Sequence, residues 1–121
     1  MKFTEGYWLL SERTNGQFAS QAYHIEAMEN GLRVVAPTSP VLSRGDTLNR
    51  PTITIEFLAV SPEVISVRAW HYEGYRTGEA RFEKKETTCD AVVTITENEA
   101  VLDAGRVSVH VDRKNWGYSF W

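Results

Sequence analysis

Arg106-Val107-Ser108-Val109-His110-Val111-Asp112, followed after a polar turn by Trp116-Gly117-Tyr118-Ser119-Phe120-Trp121, decides the fold class. Successive side chains of a strand point to opposite faces, so a half-buried strand alternates apolar and polar residues. Val107, Val109 and Val111 therefore share one face, and Arg106, Ser108, His110 and Asp112 the other. Asp112-Arg113-Lys114-Asn115 makes a polar turn, and Trp116, Tyr118 and Phe120 form the apolar face of the next strand. Phe120 and Trp121 would leave an unpaired apolar edge, which soluble domains blunt with charge, proline or a covering element. A further strand is expected beside it, from a C-terminal continuation or from a second copy.

The same alternation extends backwards through the chain. Asp90 to Thr96 and Ala100 to Asp103 form a hairpin over Glu97-Asn98-Glu99, and Ala104-Gly105 turns into the valine strand. Thr52 to Val60 sets Ile53, Ile55 and Phe57 against Thr52, Thr54 and Glu56. Val64 to Tyr72 sets Ile65, Val67 and Ala69 against Ser66 and Arg68, with Ser61-Pro62-Glu63 as the joining turn. Gln21 to Met28 and Leu32 to Ala36 flank Glu29-Asn30-Gly31, whose Asn-Gly pair suits the positive φ angles of a tight hairpin. Tyr7 to Leu10 is a short apolar run before the turn-like Arg13-Thr14-Asn15-Gly16. Pro37 to Pro51 carries three prolines among small polar residues and is a long surface loop. Glu73 to Thr88 is a charged, glycine-spaced loop and the longest candidate binding loop.

No window of a dozen residues holds an i, i+3, i+4, i+7 apolar pattern. Eight or nine short strands at this spacing predict an all-β fold of two packed antiparallel sheets, with Ile53, Ile55, Phe57, Ile65, Val67, Val107, Val109 and Val111 in its core. The 121 residues suffice for one domain with one core.

Composition narrows the function classes. A net charge of −3, with thirteen Lys and Arg residues scattered along the chain, gives no basic footprint for nucleic acid. The start lacks the apolar region of a signal peptide, and no stretch approaches the ~18 apolar residues of a membrane helix, so a cytoplasmic, membrane-free protein is expected. Cys89 is the one cysteine, which leaves neither an internal disulfide nor a thiolate-rich metal site. It is expected to be a small strand residue rather than a nucleophile.

Motifs that carry chemistry are mostly absent from the sequence. There is no P-loop, no dinucleotide glycine fingerprint, no His-Glu-x-x-His and no Gly-x-Ser-x-Gly. His24, His71 and His110 lie on three separate strands and are expected to face solvent rather than a metal, and no cofactor is implied. Glu29, Asp46, Glu73, Glu79 and Glu97 sit in turns or loops, where solvated charge is the default, so no catalytic residue is assigned. Aromatic residues carry the remaining signal: Trp70, Tyr72, Tyr75 and Phe82, with Arg76 among them, cluster around the long loop. Planar rings there suit stacking on a sugar, or packing against the second sheet or a neighbouring domain.

Phe3-Thr4-Glu5-Gly6-Tyr7-Trp8-Leu9-Leu10 resembles the opening of bacterial α-xylosidases of glycoside hydrolase family 31, where a glycine two residues before Trp-Leu begins an N-terminal β-sandwich. Leu48-Asn49-Arg50-Pro51-Thr52-Ile53-Thr54-Ile55-Glu56-Phe57 resembles the family's proline-led strand. Val64 to Gly74 resembles its V-x-V-R-x-x-H-F-x-G strand and turn. Gly105 to Val111, with Trp116 to Phe120, is similar to the strand pair before its substrate-shaping loops.

The resemblance covers essentially the whole chain and implies a galactose-mutarotase-like sandwich, truncated here, whose parent hydrolyses a non-reducing α-glycoside with two carboxylates and a covalent intermediate. The family's catalytic aspartates lie on a downstream (β/α)8 barrel, in a Trp-x-Asp-Met-Asn-Glu type motif that this chain lacks. The resemblance thus implies a non-catalytic N-terminal domain at residues 1–121, with that barrel and, through it, an α-linked oligosaccharide as partners. Trp70, Tyr72, Tyr75, Arg76 and Phe82 become substrate or domain-interface candidates. The alternatives are a free-standing carbohydrate-binding module and an assembly protein that dimerises through its C-terminal edge.

Overall fold

In a computed structural model of the chain, which describes residues 9–48, 50–72 and 89–121, the alternating runs become eight strands. They are β1 (His24–Met28), β2 (Gly31–Pro37), β3 (Thr52–Ser61), β4 (Val64–Trp70), β5 (Val92–Ile95), β6 (Glu99–Asp103), β7 (Ser108–Asp112) and β8 (Gly117–Phe120). Each four in sequence make one antiparallel meander, β1-β2-β3-β4 and β5-β6-β7-β8. The fold is the expected all-β sandwich. Of the Tyr7 to Leu10 run, only Leu9 and Leu10 are described; both are exposed, and Leu10 forms an isolated bridge. Residues 73–88, the charged loop, lie outside the described residues.

Register decides which residues meet in the core, because a slip by one would turn every apolar residue outwards. Leu32 lies opposite Phe57 and Val34 opposite Ile55. In the other sheet Ala100 faces Val111, and Leu102 faces Val109. These inward residues join in one buried cluster fed by both sheets. Phe57, Leu32, Leu102, Val34, Val109 and Val111 are its largest fully buried side chains, each contributing roughly 1.5–3 kcal/mol on burial.

Two polar ties hold the sheets together. Asn30 accepts the Ala59 N–H through its carbonyl at 2.9 Å and the Ala91 N–H, just before β5, through Oδ1 at 3.3 Å. At the same end of the sandwich Arg106 donates its N–H to the Pro62 carbonyl at 2.8 Å, and its guanidinium pairs with Glu63. Asp112 organises the last turn by accepting the N–H groups of Lys114 and Asn115 at 2.8 and 3.0 Å. Those bonds to Asn115 and Lys114 hold its carboxyl below the ordinary carboxylate value.

Several expectations need correction. Val67 faces inwards but is 43% exposed: β4 is an outer strand, and β6 lies across β2 and β3 instead. Ile53 and Ile65 are only partly buried against the cluster, and Val107 precedes β7, where its carbonyl accepts the Ala104 N–H. Tyr118 and Phe120 do turn inwards, with ring centroids 5.1 and 6.5 Å from Phe57. They remain 46% and 48% exposed because β8 is also an outer strand. Trp116 lies in the turn at φ 45°, an unusual conformation for a bulky residue. Cys89, expected on a strand, lies buried in irregular chain before β5, its Sγ 3.5 Å from the Ala104 carbonyl.

The hairpin glycine also has a different cause. Asn30 has φ 54°, whereas Gly31 is not in the left-handed region. A Cβ on Gly31 would stand 2.6 Å from the Phe57 carbonyl oxygen and 2.7 Å from Leu58 Cδ2. Space, rather than positive φ, requires the glycine here.

Candidate binding surface

The outward face of the first sheet carries a row of paired charges. Pairing aligns Glu26, Arg33, Glu56 and Arg68 in one row across all four strands. Arg33 Nη1 donates to Glu26 Oε1 at 2.7 Å, while its Nε and Nη2 donate to Glu56 Oε1 at 2.9 and 2.8 Å. Glu56 is only 7% exposed, and a carboxylate so enclosed needs a charged partner to offset desolvation. The bonds from Glu56 and then Glu26 raise the Arg33 pKa above its already high ordinary value.

The neighbouring row is His24, Val35, Thr54 and Trp70. Trp70 is half-buried on this face, which points away from the second sheet, so packing against that sheet is not its role. The Arg68 guanidinium lies 5.4 Å from the Trp70 ring centroid, a cation–π contact of about 0.5–1 kcal/mol at an exposed site. Tyr72 lies beyond the end of β4 and is 79% exposed. Tyr75, Arg76 and Phe82 lie outside the described residues. The structure thus places Trp70 beside an acid and arginine row, a combination that the alternation of β4 alone could not display.

A cavity of about 120 Å³ lies on the same sheet, lined by Tyr23, Val35, Asp46, Arg50 and Thr52 among others. That volume falls well below the roughly 300–1,000 Å³ of small-molecule sites. Asp46 closes it from the 3-10 turn Arg44–Thr47, inside the stretch expected to be irregular loop. Its Oδ2 accepts the Ser43 N–H at 2.7 Å, the Leu42 N–H at 3.0 Å and the Ser43 hydroxyl at 3.0 Å.

Those bonds, led by the Ser43 N–H, lower the Asp46 pKa from 3.8. A carboxyl whose folded pKa is depressed contributes stability that is present above its unfolded value and is lost as pH falls through the folded value. Acidification from pH 5 to pH 2 is therefore expected to destabilise the chain less in Asp46→Asn than in the parent sequence. Urea midpoints across that range check this; equal acid sensitivity would contradict it.

The outward face of the second sheet holds a cluster that sequence spacing alone did not reveal. His110 Nδ1 lies 2.7 Å from Glu99 Oε1, and its Nε2 lies 3.2 Å from Ser108 Oγ. The Trp121 ring stands edge-on at 6.1 Å from the His110 ring. A carboxylate, imidazole and hydroxyl in series has the connectivity of an acyl-transfer relay. Here, however, the Ser108 N–H is committed to the Trp121 carbonyl at 3.0 Å, and β7 is an interior strand. With its N–H groups in the ladders, β7 offers no donors for an oxyanion. The cluster orients His110 and anchors the end of β8. Ser108 and His110 lie two apart on one strand, but Glu99 joins them only through the β6–β7 register.

His24 and His71 are exposed, and His110 is partly buried. Among the described residues no three or more His, Cys, Asp or Glu side chains group to hold a metal ion. Nor is any helix among them long and apolar enough to cross a membrane.

No family model matches the chain. The chain is 35% identical over 113 residues to α-xylosidase XylQ of Lactiplantibacillus pentosus, an alignment covering 90% of this chain and 14% of that protein. It spans about one seventh of the length of the curated relative it matches, and over that span it is similar to part of an α-xylosidase.

Proposed function

We propose that this chain is a non-catalytic N-terminal β-sandwich domain of a retaining α-glycosidase of glycoside hydrolase family 31, most like an α-xylosidase. It packs on the catalytic barrel and helps to frame the pocket for a terminal α-linked sugar. The observation that carries this reading is the similarity to an α-xylosidase along 90% of the chain. The all-β architecture supports it, because the carboxylate pair of such an enzyme must converge in a cleft, and the described carboxylates lie in ion pairs, turns, irregular chain or exposed strand positions. In this proposal the protein is cytoplasmic, the sandwich is of the galactose-mutarotase type, and Trp70 with Tyr72, Tyr75, Arg76 and Phe82 meets the other domains or the substrate.

A specific observation favours one second reading. Trp70 sits on an outward face beside Arg68, Glu56 and Arg33, and an aromatic ring with neighbouring charged donors and acceptors is the chemistry of a free-standing sugar-binding module. Titration of xylose-containing oligosaccharides into the purified chain, followed by tryptophan fluorescence, separates the two. The packing domain gives no saturable change and releases no nitrophenol from an aryl α-xyloside. A saturable change abolished by Trp70→Ala would establish the module instead.

A further inference from the structure

The Asn-Gly pair occurs twice in the chain, as Asn15-Gly16 and as Asn30-Gly31. It is chemically labile, because glycine has no side chain to crowd its amide nitrogen, and that nitrogen attacks the asparagine side-chain carbonyl. The bond from the glycine nitrogen to Cγ forms, the Cγ–Nδ2 bond breaks, and ammonia leaves with the glycine amide proton. Water then opens the cyclic imide at one of its two carbonyls. The product is aspartate or isoaspartate, with a new carboxylate in either case.

The fold places the two pairs in opposite situations. Asn30 is half-buried in the β1–β2 hairpin, and Gly31 is buried. The Asn30 carbonyl accepts the Ala59 N–H at 2.9 Å, so Gly31 and Leu58 are a non-bonded pair of the β2–β3 ladder. The Gly31 N–H is therefore turned toward β1, where Met28 lies opposite. Asn30 Oδ1 accepts the Ala91 N–H at 3.3 Å. Both the attacking nitrogen and the carbonyl under attack are thus held by the sheets. Asn15, by contrast, is exposed in irregular chain before β1. Among the described residues nothing accepts the Gly16 N–H. Asn15 Oδ1 accepts only the Gln17 side-chain amide, at 3.4 Å, and Gln17 is itself exposed. The side chains beside Gly16, Leu10 and Phe18, are exposed and free to shift.

We infer that Asn15 is a site of spontaneous conversion in the folded protein, and that Asn30 is a latent site that reacts only when the β1–β2 hairpin opens. Conversion disturbs little at Asn15, since no ladder runs through that residue. At Asn30 isoaspartate routes the main chain through Cγ and lengthens the turn by one carbon. That displaces the acceptors of both Ala59 and Ala91. The second site therefore marks copies of the chain that have opened.

The test uses the 121-residue chain, incubated at mildly alkaline pH and then cleaved after glutamate, which puts Asn15 in the peptide 13–26 and Asn30 in the peptide 30–56. Mass spectrometry reads the replacement of amide by acid at each site. In buffer Asn30 is expected to convert at least about tenfold more slowly than Asn15, because a reaction confined to the opened hairpin scales with the open population. In denaturing guanidinium chloride the two rates should become comparable. Phe57→Ala, which weakens the core beside the hairpin, is expected to speed conversion of Asn30 by about tenfold or more and leave Asn15 unchanged. Asn15→Gln should remove the product at that site, where the longer side chain closes its ring far less readily, with the circular dichroism unaltered. An Asn15 that stays unconverted in the folded chain overturns the inference, as do equal rates at the two sites in buffer.

Discussion

Phe57→Ala is expected to lower the stability of the chain by about 3–5 kcal/mol, the range for truncating a buried aromatic side chain. Phe57 has no exposed surface and lies opposite Leu32 in the pairing of β2 with β3. Its ring also meets the edges of Tyr118 and Phe120 from the second sheet. The cavity left by Ala would sit between the sheets, where neither ladder can close without breaking its own hydrogen bonds. Domains of this size retain only about 5–15 kcal/mol in total, so one substitution removes a large share. A urea unfolding curve shifted by much less than this would mean that the sheets do not share one core.

Gly31→Val should cost about 3 kcal/mol, at the upper end of the range for overpacking. The nearest atom to a new Cβ is the Phe57 carbonyl oxygen, fixed in β3, and the next is Leu58 Cδ2. A side chain can rotate away, but a backbone carbonyl in the centre of a sheet cannot. Gly45→Ala provides the contrast. Its Cβ would lie 3.8 Å from Ser43 Oγ, at ordinary contact distance, and its melting temperature is expected to stay within about a degree of the parent, as for most surface changes. Equal losses at the two glycines would show that crowding at Gly31 is not the cause.

Much of this fold was legible because period-two alternation identifies both a strand and its buried face. Val109 and Val111 are buried where alternation put them, and Leu102 and Ala100 face them through the expected hairpin. Alternation gives orientation only; it does not say what lies across the sheet. Val67, Tyr118 and Phe120 therefore point inwards and yet stay partly exposed, since each belongs to an outer strand. Gly31 shows a second limit. The Asn-Gly pair announced a turn, but its demand for space depends on Phe57, twenty-six residues away in the chain, and no local pattern encodes that distance.

The candidate surface was legible in part for the same reason. Trp70 was visible as an aromatic residue at the end of a strand, but packing against the second sheet stayed open until the register set it with Arg68 on the outward face. The row of Glu26, Arg33 and Glu56 required the registers of three strands. The Glu99, His110 and Ser108 cluster likewise needed β6 set against β7. Short polar residues on separate strands carry no shared period, so their meeting is a property of the fold alone.

In the proposed function the chain works as one domain of a larger α-glycosidase. Its most direct test is an immunoblot of the source cells with an antibody against this chain, coupled to an aryl α-xyloside assay of the material the antibody captures. The expected product is several times longer than the chain and carries α-xylosidase activity. A product of the chain's own length, with no hydrolytic activity, would contradict it.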